Sequence, residues 1–203
     1  MKNATQISDD ILTAMLPAVP FDGWTESLAR QAAGEAGYAP AMACAVFPAG
    51  PADMAAHFAD MADRGMLAAL AGVDADSLKI RERVTLAVRE RINWLSAHKE
   101  AERAALAFWL RPMRKYRGGK IVWRTADRIW TWAGDTSADY NRYTKRALLS
   151  GVLASTMVFW MQDQSEGSAD THAFLDRRIA NVLQWGKAMG GLASFGKFGK
   201  KSA

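Results

Sequence analysis

Asp139, Arg142, Tyr143 and Arg146 are the residues of this chain best arranged to do chemistry. They recur at i, i+3, i+4 and i+7, so on a helix they share one face. An acid, two guanidinium groups and a phenol offer neither a nucleophile nor a metal-ligand set. They can form ion pairs and hydrogen bonds with a second macromolecule, or with one another as a solvated helix face. The other candidates carry less. His57, His98 and His172 lie far apart without metal-ligand spacing. The single cysteine, Cys44, excludes an internal disulfide and a cysteine-built metal site. The chain has no G-x-S-x-G elbow, phosphate-binding glycine loop or paired-carboxylate motif. Glu100 and Glu102, close to His98, read as an exposed helix face. A binding protein is expected, without catalysis, cofactor or metal.

The elements that must position the row surround it in sequence. Upstream lie three tryptophans, Trp123, Trp130 and Trp132, and then a turn at Gly134-Asp135-Thr136-Ser137, in which Asp135 and Ser137 suit turn and capping roles. Downstream, Ala147 to Met161 is fifteen residues without a charge. A bilayer-spanning helix needs about 20 apolar residues, so this run predicts a helix buried in a soluble protein. Helical signals continue along the chain: Asp9–Met15 stopped by Pro17 and Pro20; a helix capped by Thr25 and ended at Gly37; Ala41–Phe47; and one starting at Pro51 and ending near Gly72. A long helix is predicted from Ser77 through Leu110, followed by Lys120–Trp132, Ala138–Asp163 and Thr171–Met189. No stretch alternates with period two for long enough to make a strand. The fold class is all-α.

Half of the 203 residues are hydrophobic, enough for one domain with a substantial core. The net charge of +5 hides an asymmetry. Residues 1–76 balance at −7, with only Lys2, Arg30 and Arg64 as cations, and residues 77–203 balance at +12. The basic part suits nucleic acid, an anionic membrane or an acidic partner, and charge alone does not choose. The opening MKNATQISDD has neither a signal-peptide nor a transit-peptide pattern, which predicts a cytoplasmic protein, most simply bacterial.

The rhythm of the first four helices, through GWTESLARQAAGEAGYAPAMACAVFPAGPADMAAHF, resembles the N-terminal helix-turn-helix of tetracycline-repressor-type regulators. The segment in the recognition-helix position, Ala41 to Val46, has no cation and no amide, and DNA binding needs both kinds of contact. No DNA binding is expected. Four segments, VRERINWLSAHKEAERAALAFW, WRTADRIWTWAGDTSADYNRYTKRALLSGVLAST, MQDQSEGSADT and FLDRRIANV, resemble the ubiquinone-biosynthesis accessory proteins called Coq-nine. The run Gly134-Asp135-x-Ser137-x-Asp139-x-Asn141-x-Tyr143-Thr144-Lys145-Arg146 is specific to that family. This chain has Arg142 where the family usually has Trp.

The resemblance implies a repressor-like fold and a non-catalytic protein that binds isoprenoid lipids in an apolar cavity at the membrane. It would present quinone precursors to a di-iron hydroxylase acting late in ubiquinone synthesis. It places Asp139, Tyr143 and Arg146, with Arg142 at the departing position, on the surface that meets that hydroxylase. Phe108, Trp109, Trp130, Leu148, Val152, Phe159 and Trp160 are the candidates for the lipid-holding interior; ordinary core packing uses the same residue types. In the C-terminal segment, Leu175, Ile179, Val182, Leu183 and Met189 repeat at helical spacing. Trp185, Lys187, Phe195, Lys197, Phe198 and Lys200 give its end the composition of an interfacial segment lying on an anionic leaflet. The expected organisation is a degenerate helix-turn-helix region over 1–72, a lipid-binding and docking core over 77–170, and a membrane-associating helix and tail over 171–203. A homodimer is expected by analogy with repressor folds, and the expected location is peripheral, on the bacterial inner membrane. The rival reading is a lipid-responsive transcriptional regulator.

Overall fold

A computed structural model describes residues 2–136 and 140–195, and the side chains of all of these except 140–141 and 183–195. Its ten helices, with single 3-10 turns between some of them, are the only regular elements among the described residues: α1 (Ala4–Met15), α2 (Val19–Asp22), α3 (Glu26–Glu35), α4 (Ala41–Val46), α5 (Pro51–Leu70), α6 (Ile80–Ser96), α7 (Lys99–Trp109), α8 (Lys115–Trp132), α9 (Tyr140–Trp160) and α10 (Ala169–Phe195). None, among the described residues, is long and apolar enough to cross a membrane.

Local chemistry explains most boundaries. α1 starts five residues before the expected Asp9 because Asn3 and Gln6 form a reciprocal capping box, each side-chain oxygen accepting the other's backbone N–H at 2.9 Å. Thr25 caps α3 by accepting from the Leu28 N–H, and Gly37, at φ +81°, takes the left-handed conformation that ends it. α8 begins at Lys115 rather than Lys120 and runs through Gly118 and Gly119. A Cβ on Gly118 would stand 3.1 Å from the Cβ of Trp109, so the glycine allows α7 and α8 to approach closely.

The expected long helix from Ser77 to Leu110 is instead two helices. The chain breaks at His98 (φ −133°, ψ 30°), with neither glycine nor proline to mark the place. Tertiary packing accounts for it: the imidazole lies against Trp94 and Phe58, with ring centroids 5.3 and 6.3 Å away. The break lets α7 turn back to pack on α2 and α8.

α1, α3 and α4 form a small cluster, and α5 carries it onto α6 and α8; α9 packs between α8 and α10. One continuous apolar core runs from Ile11 to Ile179, so α5 serves both the N-terminal helices and the larger bundle. At Gly65 on α5 an added Cβ would fall 2.1 Å from the Trp94 ring. Gly65→Ala must therefore displace a half-buried indole, and a loss of about 1–3 kcal/mol is expected. Chemical denaturation checks this against Gly72→Ala, where nothing lies within 4 Å of the new atom.

Candidate functional site

The site rests on a chain of charges through the bundle. Arg64 on α5 holds Asp9 on α1 bidentately, at 2.6 and 2.9 Å, and His57 reaches the same carboxylate. Burial works against the Asp9 charge, but hydrogen bonds from Arg64 and His57 hold its pKa below the ordinary value. Arg64 also pairs with Asp60, which pairs with Arg128 on α8, each at 2.8 Å. Arg128 then reaches Asp63, a carboxylate with no solvent exposure. Asp63 also accepts from Arg91 Nε on α6 and Thr125 Oγ1 on α8, both at 2.9 Å. A bare carboxylate at this depth is very costly; these partners make the position tenable.

Against this network lies an apolar cavity of about 290 Å³, walled by α5, α6, α7, α8 and α9. Ala55, Ala105, Trp109, Val122, Leu153 and Met157 supply much of its surface, and Arg91, Thr125 and Glu102 supply its polar inner part. The cavity reaches the surface at Leu110 and Val158, 65% and 56% exposed. Beside that mouth stand Met113 and Tyr116, also exposed, among Arg111, Arg114, Lys115 and Lys120. Lys120 sits over the Tyr116 ring and Arg114 over the Phe108 ring.

Glu102 corrects the sequence reading. Glu100 is exposed as expected, but Glu102, two residues on, is buried and lines the cavity. Burial pushes its carboxyl up from 4.5 to about 7, with Arg91 opposing the shift and Asp63 adding to it.

Of the seven residues expected to line a lipid site, Trp109 stands on the wall of this cavity. Phe108 is buried edge-on against Trp109, and Trp130 donates its Nε1–H to the Lys145 carbonyl. Val152 is core, Phe159 stacks on Phe174 of α10, and Trp160 is fully buried with its Nε1–H on Ser168 Oγ. Leu148 faces outward, 36% exposed, because α9 buries only one side against its neighbours. These six pack the bundle or, for Leu148, coat it; the walls are built mainly of smaller residues that leave space.

The docking row also divides. Arg146 is no surface residue: it is 3% exposed, with Asp127 and Asp135 accepting from its guanidinium at 2.5 and 2.9 Å. It locks the end of α8 to the start of α9. Arg142 is half exposed and pairs loosely with Asp127 at 3.4 Å; Tyr143 is exposed, its ring 6.4 Å from Trp123. Asp139 lies outside the described residues, as do Lys197, Phe198 and Lys200; Trp185, Lys187 and Phe195 fall within helix α10, their side chains undescribed.

Sequence reasoning missed Asp63, Arg91 and Glu102. A signal lay in the i,i+4 spacings: Asp60–Arg64 is an ion pair, and Arg124–Arg128 is a like-charge pair that needs carboxylates from a neighbouring helix. Nothing local marks Glu102. At the entry to α10, Asp163 accepts from the backbone and hydroxyl groups of Ser165 and Thr171. Burial opposes its charge, and these bonds hold its pKa well below the usual carboxylate range.

Residues 117–186, from α8 into α10, match the COQ9 family model. Over 188 residues the chain is 31% identical to the mitochondrial ubiquinone biosynthesis protein COQ9 of Rattus norvegicus and 28% identical to that of Homo sapiens. Each alignment takes 89% of this chain. The chain resembles the COQ9 proteins along most of its length. It spans 60% and 59% of the length of those two relatives. The crystal structure of a TetR transcriptional regulator from Nitrosomonas europaea shares the fold, with a TM-score of 0.71 at 19% identity over 88% of this chain and 99% of that one. The all-α, repressor-like architecture expected from the sequence is the one observed. In this chain the matched region holds both the Arg146 lock and the α8 and α9 walls of the cavity.

Removing one member of a buried ion network leaves the others desolvated and unpaired. Asp63→Ala is expected to cost about 3–5 kcal/mol in chemical denaturation, and Asp63→Leu with Arg91→Met to recover much of it. Glu102 has the opposite pH signature to an ion-paired acid. The unfolded chain loses this proton near pH 4.5 and the folded chain near pH 7, so its contribution to stability falls as pH rises through that window. The stability advantage of Glu102→Gln should grow from pH 4.5 to 7, to at most about 3 kcal/mol, and then level off.

Proposed function

We propose that this protein is a non-catalytic lipid carrier in ubiquinone biosynthesis. It takes one end of an isoprenoid quinone precursor into the α5–α9 cavity at a membrane surface and presents it to a di-iron hydroxylase. The carrying observation is the cavity itself: about 290 Å³, largely apolar, and open beside exposed apolar side chains interleaved with cations. Ligand pockets run from about 300 to 1,000 Å³, so this one accommodates part of a long lipid and leaves the rest at the mouth.

Leu110, Met113 and Tyr116 among Arg111, Lys115 and Lys120 have the composition of an interfacial contact with an anionic leaflet. This supports peripheral attachment, on the inner membrane if the source is bacterial, alongside the amphipathic sequence at the C-terminal end. The curated relatives are named as ubiquinone biosynthesis proteins and as mitochondrial, which supports the pathway and a membrane-bound setting. Arg142 and Tyr143 present an exposed face for the hydroxylase. Leu148 and Gly151, side by side on the outer face of α9, favour a homodimer.

The repressor fold favours one rival, a lipid-responsive regulator. The short α4 argues against it: its six residues, exposed at Ala41, Cys44 and Ala45, bring no cation to a phosphate.

Native mass spectrometry with lipid extraction, on protein purified from a ubiquinone-producing host, tests the reading. Co-purifying isoprenoid lipid is expected, and Ala154→Trp, which puts an indole into the mouth from an exposed position, should reduce it at least severalfold. Lipid-free protein would overturn the carrier reading. Salt-sensitive binding to duplex DNA would replace it with the regulator.

A further inference from the structure

Arg64, Arg89, Arg103 and Arg117 each meet a carboxylate. The connector from α7 to α8 is different. Arg111, Arg114, Lys115 and Lys120, around the 3-10 turn Pro112–Arg114 and the first turns of α8, have no carboxylate partner among the described residues. Asp53, the acid recorded against this connector, is taken up by Arg117 and by the Ala49 N–H. Four cations within ten residues therefore stand uncompensated.

Arg114 differs from the other three. It is half-buried, with its guanidinium over the Phe108 ring, 3.8 Å from the centroid. Nη1 is covered there and has no acceptor, whereas Nε and Nη2 are uncovered and also lack one. Desolvating a donor without a partner is costly; stacking on the ring offsets part of that cost and fixes the guanidinium in place. Between the cations stand Leu110, Met113 and Tyr116, all exposed. Met113, at 96%, is the most exposed large apolar side chain among the described residues.

We propose that the α7–α8 connector is a phospholipid site, in which Arg114 holds the phosphate of an anionic head group, flanked by Arg111 and Lys115, while Leu110 and Met113 enter the acyl layer below. This deepens the carrier reading at its membrane contact, adding the lipid group recognised and the residue that recognises it. Charge and layout together choose the occupant. A protein interface gathers its apolar residues into a core and its charges into a rim. Here apolar tips and cations alternate at one- to two-residue spacing, which matches a boundary where phosphates and acyl chains lie about 5–10 Å apart. A guanidinium fork also fits the paired oxygens of a phosphate.

A phosphate site and a diffuse attraction ask different things of Arg114. Attraction depends on charge, which lysine keeps. A stacked, forked donor is lost with lysine, whose ammonium is a point charge on a flexible stem.

The test is co-sedimentation of the full chain with phosphatidylcholine vesicles, with and without phosphatidylglycerol. Wild type is expected to bind the anionic vesicles at least tenfold more tightly. Arg114→Lys should weaken that binding about fivefold although the charge is kept, and Arg114→Gln about tenfold or more, since one cation at an anionic surface is itself worth about fivefold. Arg111→Gln, at an exposed and unpaired side chain, should weaken it about threefold without touching the fold. Arg30→Gln, the same change of charge on α3, should stay within about twofold. Met113→Cys, combined with Cys44→Ser because Cys44 is the only cysteine, carries an environment-sensitive dye that should shift to the blue on anionic vesicles. Wild-type binding by Arg114→Lys reduces the connector to diffuse attraction and overturns the site. A dye that stays in water on vesicle-bound protein also overturns it and leaves the connector to an acidic protein. The expected vesicle results from a protein that co-purifies no lipid keep this site and overturn the carrier; co-purifying lipid with a dye that stays in water does the reverse.

Discussion

The desolvation of Asp63 is the constraint on which this fold depends. A carboxylate with no exposure requires cations from other helices, and Arg91, Arg124 and Arg128 come from α6 and α8. Through Asp60 and Arg64 the same chain of charges extends to Asp9 on α1. Four helices are thereby fixed in register by directional contacts, where apolar packing alone permits sliding. Buried ion pairs are poor sources of net stability. Here the network specifies one arrangement of α1, α5, α6 and α8, and that arrangement holds the cavity's polar inner end in place.

The cavity exists because of two departures from smooth helix packing. The break at His98 turns α7 back toward α8, and glycines at 118 and 119 narrow α8 where the two helices meet. Small residues on α5 and α7, Ala55, Ala59 and Ala105, leave unfilled the volume that larger side chains would occupy. The large aromatics do the reverse. Trp160, Phe58 and Trp24 are consumed in packing, and Phe159 ties α9 to α10 by stacking on Phe174.

Helical periodicity made the all-α class and most helices legible, and the caps at Thr25, Gly37 and Pro51 made several boundaries so. The Gly134–Arg146 run carried the resemblance to the COQ9 proteins. What stayed illegible was decided by contacts distant in sequence. The break at His98 has no local breaker and is imposed by Trp94 and Phe58. Arg146 shares helical spacing with the exposed Arg142, but Asp127 and Asp135, eleven or more residues away, draw it inside. Glu102 and Glu100 differ by two residues and so by more than half a helical turn, which puts one in the cavity and the other in water. Emptiness is the property least visible in composition, because Leu148 and Leu153 are the same residue type with opposite fates.

The charge asymmetry acquires a direction once the chain is folded. The acidic balance of −7 belongs to residues 1–76, which supply α1 to α5, and the basic balance of +12 to the residues of α6 onward, which include the cations around the cavity mouth. In an external field such a molecule is an electric dipole and experiences a torque as well as an attraction. Near any charged surface, within a Debye length of about 8 Å at physiological ionic strength, such a torque acts before any atoms touch. The α4 helix, Ala41–Val46, carries no cation and so leaves the acidic balance of its half undiminished.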